Sequence, residues 1–348
     1  MGAIDLKLRH RDVHDWFAGI QVYRTFTHAA YPPASHALLW VLIGWLPFEA
    51  VRWLWAATLV PILGGLAYLF ANESRARTRA QRLLLVLVLL SITATRNTIG
   101  NGQLVLHVML PLLAGVLMLA RRPVDWRTDL LATLLILFSL IKPTLSAPFL
   151  WLVLLLPGRW RPTLLVATGY VALTCFAVMF QPDGWDVLLS YCRNLVDHTM
   201  QGHTTLIGLL DAFDLRAFAT PASAALFIAF GAWVYRYRRV DPWLLLGVAA
   251  FVARTWSYAR PYDDLLILVP IVTLFRITQG GPINRNTRLV AELLLVAMVI
   301  CNLIPGNVVA WAPPGRYLIE AIFASVWGAA LFFLLREAHR EAEARVRD

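Results

Sequence analysis

The stretch whose reading decides the fold is RRPVDWRTDLLATLLILFSLIKPTLSAPFLWLVLLLPGRWR, residues 121–161. Arginine clusters bound it, Arg121 to Arg127 and Arg159 to Arg161. Between them two apolar runs, 128–141 and 143–157, meet at Lys142-Pro143. A proline disfavours helical geometry in the residue before it, so the chain breaks at Lys142. The pattern reads as two helices meeting partway into a membrane, with basic loops at their far ends. The runs are continuous rather than alternating, which argues against the strands of a membrane barrel.

The same pattern repeats outward from this stretch. Further basic clusters stand at Arg75 to Arg82, Arg236 to Arg239, Arg276 to Arg288 and Arg336 to the end. The remaining candidate spans are 50–71, 83–96, 103–120, 163–181, 219–236, 242–259, 262–277, 288–305 and 317–335. With these spans every cluster falls on one side, as the positive-inside rule requires of cytoplasmic loops. Composition agrees: of 348 residues 59% are hydrophobic and 15% charged, where soluble domains carry roughly 25% charge. The expected fold is an all-α polytopic transmembrane bundle of about eleven membrane segments. It forms one integral membrane domain over 1–348: an outer segment 1–49, the bundle 50–335 and a cytoplasmic tail 336–348. The net charge of +10 sits in the short inside loops, which argues against nucleic acid as a partner. Cys175, Cys192 and Cys301 have no metal-ligand spacing, and no metal is expected.

The opposite side collects Met1 to about Glu49, Thr95 to Gln103, Lys142-Pro143, Gln181 to Thr220, Ala259 to Tyr262 and Gly306 to Arg316. The apolar run Ala34 to Leu46 is too short to cross. It is expected to lie at the outer interface, where Trp40 and Trp45 suit that depth. This topology leaves Lys7, Arg9 and Arg11 outside with no span before them, so a first helix upstream of Asp5 is expected.

A particular order of short motifs stands out on that outer side. It runs Asp5-Leu6, Trp16-Phe17-Ala18-Gly19, Val22-Tyr23, Tyr31-Pro32-Pro33, then Leu46-Pro47 and the span from Ala50. Gly102-Gln103 opening a span, Lys142-Pro143 and Pro261-Tyr262-Asp263-Asp264 continue it. Together they resemble the GT-C glycosyltransferases that use polyprenyl-phosphate sugars, and most of all the family 87 (GT87, DUF2029-type) branch of mannosyl- and arabinosyltransferase-like proteins. The resemblance implies a lipid-linked sugar as donor, a glycan or glycolipid as acceptor and no separate cofactor. It also implies a site facing the periplasm from a bacterial inner (plasma) membrane, and an acceptor-activating Asp in the first outer segment, where Asp5 stands. Oligomeric state is not legible.

Such a transfer needs a carboxylate to take the acceptor proton and cationic groups to hold the leaving phosphate. Asp5 is the first choice as base, with Asp12 and Asp15 as alternatives. On a helix, the spacing of these three allows a shared face. Lys142, Arg96, Arg193 and Arg254 are the phosphate candidates. Lys142 is the most informative, because an ionisable group inside apolar sequence is costly unless used or snorkelling. Gln103, Asn101, Tyr31, His198, His203, Tyr258, Arg260 and Asp263 are candidates for substrate contact. Asp263 and Asp264 have a plainer reading as ion-pair partners of Arg260 or Arg254. The spacing of His198 and His203 is not a metal motif. The rival class is a transporter or lipid flippase, favoured by the broken-helix look around Lys142-Pro143. A catalytically inactive structural subunit is a third reading.

Overall fold

The computed structural model describes residues 2–25, 29, 31–198, 205–280, 284–304 and 315–347, with the backbone alone for 194–198, 315–317 and 346–347. Among the described residues every regular element is a helix. The N-terminal third runs α1 (Ile4–Phe17), α2 (Val22–Thr25), α3 (Pro33–Leu39) with a π-helical turn Trp40–Gly44, α4 (Phe48–Glu73), α5 (Arg79–Ser91) and α6 (Thr93–Asn101). The middle holds α7 (Val105–Arg121), α8 (Trp126–Ser139), α9 (Pro143–Leu155), α10 (Trp160–Val178), α11 (Asp186–His198) and α12 (Leu206–Ala212). The last part holds α13 (Ala219–Tyr237), α14 (Pro242–Thr255), a 3-10 turn Pro261–Ile267, α15 (Leu268–Gln279), α16 (Arg285–Leu303) and α17 (Gly315–Arg347).

Five of these are long and apolar enough to cross a membrane: Phe48–Glu73, Trp160–Val178, Arg216–Tyr237, Arg285–Leu303 and Leu318–Arg345. The pair α5 and α6, bent by 48°, makes a sixth if taken as one span. This differs from the eleven expected. The remaining expected crossings are shorter apolar helices, including Val105–Arg121, Pro143–Leu155 and Pro242–Thr255. At 1.5 Å per residue the 26 residues of α4 reach about 39 Å, whereas the 13 of α9 reach only about 20 Å. Pro143 causes one of these breaks: Lys142 leaves the helical region that a following proline disfavours (φ −124°, ψ 77°), and α9 starts anew.

One end of the bundle gathers the arginine clusters. Arg75 and Arg276 both donate to Asp241 at 2.9 Å, and Arg77 donates to the Gln279 carbonyl at 2.9 Å. The Asp241 backbone N–H donates to Glu341, and the Trp243 indole to Glu73, both at 2.9 Å. Helix starts here carry their own caps. Asp241 accepts from the Trp243 N–H, Asp125 from Arg127 and Thr128, and Thr78 forms a reciprocal capping box with Gln81. Exposed indoles mark both ends, Trp126 and Trp160 beside the arginines and Trp45, Trp53 and Trp185 opposite. That distribution is the pair of aromatic belts of a membrane protein, and the chain is an integral membrane protein.

At the end away from the clusters, the segment expected as an outer loop is folded. α1 is clamped to the end of α10, where the Trp16 indole donates to the Ala177 carbonyl at 2.9 Å and Gln181 donates to the Trp16 carbonyl at 2.7 Å. α3 does not lie on the surface. Pro33, Ala34, Ser35, His36, Ala37 and Leu39 are all buried, and the helix packs against α1 and α10. Its small residues permit that depth. His36 stacks on Trp16 with centroids 4.4 Å apart and planes 10° from parallel.

Candidate active site

The polar side chains of the outer end converge from four separate parts of the chain. The first is the start of α1, seated on the end of α6. Gly102 closes α6 in the left-handed conformation (φ 71°), which glycine adopts without the cost other residues bear. A Cβ there would lie 2.8 Å from the Ala3 Cα and 2.8 Å from the Leu6 Cβ. The Ala3 N–H donates to the Gly100 carbonyl at 3.0 Å. This close approach delivers Asp5 to Gln103, whose side-chain amide donates to the Asp5 carboxylate. Gln103 is buried and Asp5 half-buried, so the carboxylate has one oxygen held and one side open.

The second part is the rest of α1 with Tyr31. Arg9 lies one turn beyond Asp5 and pairs with Asp12 at 2.9 Å. Its guanidinium also covers the Tyr31 ring at 4.7 Å. Asp12 is fully buried and held by this pair. The Tyr23 hydroxyl donates to the Tyr31 carbonyl at 2.5 Å and fixes the loop that carries the ring. Burial pushes the Tyr31 phenol above its ordinary range. Arg9 opposes this, while Asp263, Asp5 and Tyr258 reinforce it. One phenol therefore lies within electrostatic reach of both carboxylates, one from α1 and one from the 3-10 turn.

The third and fourth parts are the α8–α9 break and the turn after α14. The Lys142 ammonium binds Asp263 at 2.5 Å, with side-chain exposures of 5% and 0%, and stands 4.8 Å from the centre of the Tyr262 ring. A cation at a helix N-terminus opposes the helix dipole, so Lys142 at the start of α9 needs that carboxylate. The other Asp263 oxygen accepts from the Arg260 N–H at 2.8 Å, and the Arg260 guanidinium donates to the Tyr258 hydroxyl at 2.6 Å. The break is tied to α3 through the Ser35 hydroxyl, which donates to the Leu140 carbonyl at 3.4 Å.

The structure thus gathers Asp5, Gln103, Tyr31, Lys142, Asp263, Arg260 and Tyr258, and separates others. Arg254 binds Asp264 and lies 5.4 Å over the Trp327 ring, so its charge is already matched. That is the plainer reading of Asp264. Arg96 is exposed on α6 and Arg193 exposed on α11, while Asn101 is half-buried beside Gly102. His203 lies outside the described residues, as does the side chain of His198. Arg9 and Tyr262 were not expected in the cluster. Arg9 stands four after Asp5 and three before Asp12, a helical spacing legible once 4–17 is read as helix.

The profile of glycosyltransferase family 87 matches residues 29–275, more than half of the chain. The match includes Tyr31, Gln103, Lys142, Asp263 and both halves of the α8–α9 break, and begins after α1. No curated protein and no solved structure matches the chain.

Proposed function

The chain belongs to glycosyltransferase family 87, and from that premise we propose that it moves one sugar from a polyprenyl phosphate to an extracytoplasmic hydroxyl. It is a glycosyltransferase; the donor, acceptor and residue roles that follow are our reading. The juxtaposition of an open carboxylate at Asp5 with the Lys142–Asp263 pair around Tyr31 carries it. Asp5 takes the proton of the acceptor hydroxyl as that oxygen bonds to the anomeric carbon. The bond from that carbon to the phosphate oxygen breaks at the same time, leaving polyprenyl phosphate and an inverted centre. Lys142, with Arg9 and Arg260 nearby, holds the phosphate as its charge grows. Arg96 and Arg193, both exposed, are placed to meet lipid headgroups. Asp12 is the lesser candidate for base, since burial and Arg9 occupy it; its role is to hold Arg9 upright.

The shorter apolar helices complete the remaining crossings, for about eleven segments in all, with the arginine-rich end in the cytoplasm and Asp5 facing the periplasm of a bacterial inner membrane. Family membership disfavours the transporter and flippase alternatives. A panel of radiolabelled polyprenyl-phosphate sugars, offered to membranes holding wild type or Asp5→Asn, tests the reading. Transfer by the wild type and a loss of 100-fold or more in Asp5→Asn, on the order of general-base catalysis, is expected. Transfer surviving in Asp5→Asn overturns the base; transfer from no donor overturns the donor class.

A further inference from the structure

At the arginine-rich end a cleft of about 490 Å³ opens where the ends of α7, α9, α13 and α17 meet the starts of α10 and α14. It is far from the Asp5 cluster and the transfer chemistry makes no use of it. Five arginines line it: Arg122, Arg159, Arg238, Arg239 and Arg345. Two are spoken for. Arg159 is buried against Asp129 at 2.8 Å, and Arg345 binds Glu341 at 2.7 Å. Among the described residues no carboxylate lies within ion-pair distance of Arg122, Arg238 or Arg239. The Arg238 guanidinium covers the Tyr235 ring at 4.1 Å, which orients it without neutralising it. Among the described residues no acidic side chain lines the cleft, and its apolar lining includes the buried Val116, Leu152 and Leu245 and the more exposed Val124, Leu156 and Pro157.

The depth of the cleft in the membrane is marked independently. Trp126 and Trp160, on the two helix starts beside it, are 64% and 66% exposed. Each carries a guanidinium over its ring, Arg127 at 5.6 Å and Arg161 at 5.8 Å. Exposed indoles paired with arginine are the signature of the headgroup layer. An apolar wall ending in unneutralised arginines at that depth matches one chemistry, a phosphodiester with acyl chains attached.

We propose that this cleft binds one anionic phospholipid of the cytoplasmic leaflet. Arg122, Arg238 and Arg239 hold the phosphodiester, and an acyl chain lies along Val124, Leu156 and Pro157. The assignment of the leaflet rests on the orientation given above; the site itself does not depend on the sugar donor. The test is native mass spectrometry of the full chain in detergent, titrated with phosphatidylglycerol or phosphatidylcholine of identical acyl chains, with glycerol 1-phosphate as competitor. Wild type should hold one phosphatidylglycerol in preference to phosphatidylcholine. Loss should be about fivefold for each of Arg122→Gln and Arg239→Gln, both exposed, and on the order of a hundredfold for these combined with Arg238→Gln. A control triple, Arg79→Gln, Arg82→Gln and Arg285→Gln, removes equal charge from the same end outside the cleft and should change binding little. Equal loss in both triples would mean diffuse attraction and would overturn the site. So would absence of a headgroup preference, or competition by glycerol 1-phosphate at the lipid's own concentration.

Discussion

Removing the ammonium of Lys142 without removing its partner should damage the protein more than removing both. Lys142 and Asp263 have side-chain exposures of 5% and 0%, and the pair is 2.5 Å long. Lys142→Met leaves a buried carboxylate whose remaining partner is the Arg260 N–H at 2.8 Å. Breaking one half of such a pair costs about 3–5 kcal/mol, because desolvation of the survivor is no longer offset. Asp263→Asn keeps the acceptor for the Arg260 N–H and, combined with Lys142→Met, leaves no charge to desolvate. The double variant should therefore regain most of that loss. Unfolding free energies from reversible detergent titration give the cycle, and sugar transfer is measured on the same preparations. Stability should return in the double variant while transfer stays lost, since the phosphate then has no Lys142. A double variant as unstable as Lys142→Met would refute the buried-charge argument. A stable double variant that still transfers sugar at the wild-type rate would remove Lys142 from the phosphate site.

Three other perturbations probe the scaffold. Gly102→Ala places a Cβ 2.8 Å from the Ala3 Cα in a left-handed conformation, which alone costs about 1–2 kcal/mol. It should lift α1 from α6 and lower transfer more than tenfold, whereas Gly100→Ala, with nothing within 4 Å of its Cβ, should be silent in the same assay. His14, 3.2 Å from His10, has a pKa below 6.5, chiefly through burial and then through His10. The unfolded state therefore binds the extra proton first, and stability falls as pH drops below about 6.5. Protection factors of α1 amides, corrected for the slower intrinsic exchange at lower pH, should fall from pH 7 to 5, and His14→Gln should flatten that slope. At the other end, burial works against the charge of Asp241, but Arg276, the Trp243 N–H and Arg75 outweigh it and hold the carboxyl below 3.8. Its contribution is complete above that value and is lost as pH falls further. Asp241→Asn should cost about 2 kcal/mol at neutral pH and reduce the acid sensitivity of unfolding in detergent.

Charge placement made the bundle legible. Clusters such as Arg121 to Arg127 and Arg159 to Arg161 mark the ends of spans and the short connections between them, and Pro143 announced its break by disfavouring helical geometry at Lys142. Helix length was not legible, because composition counts apolar residues without saying whether they form one full crossing or two half-length pieces. The same limit hid α3: Ala34, Ser35 and Ala37 are as compatible with a surface helix as with a buried one, and only the packing of α10 decides between them. For the site, Lys142 was visible as a costly charge and Asp263 as a substrate contact or a partner of Arg260 or Arg254, but the pairing of Lys142 with Asp263 across 121 residues of sequence was not. The role of Arg9 depended on reading 4–17 as a helix, which its mean polarity conceals.

The two ends of the bundle treat charge in opposite ways, and the difference locates the chemistry. At the arginine-rich end Asp241 serves two guanidinium groups and caps α14 as well, so its geometry is over-determined. Such a network resists rearrangement. At the other end the carboxylates of the site are held more locally: Asp5 accepts from Gln103, Asp12 pairs with Arg9, and Asp263 accepts from Lys142 and the Arg260 N–H. These groups sit on short elements, a helix start, a break and a 3-10 turn, which lack the long interhelical seams of α4 or α10. A phosphate entering beside Lys142 needs to exchange only one contact, with the Arg260 N–H still holding Asp263 in place. A site built from local pairs at helix breaks can change partners without disturbing the helices that carry it. The bundle supplies rigidity, and Pro143 and Gly102 confine the exchange to the two places where the chain turns.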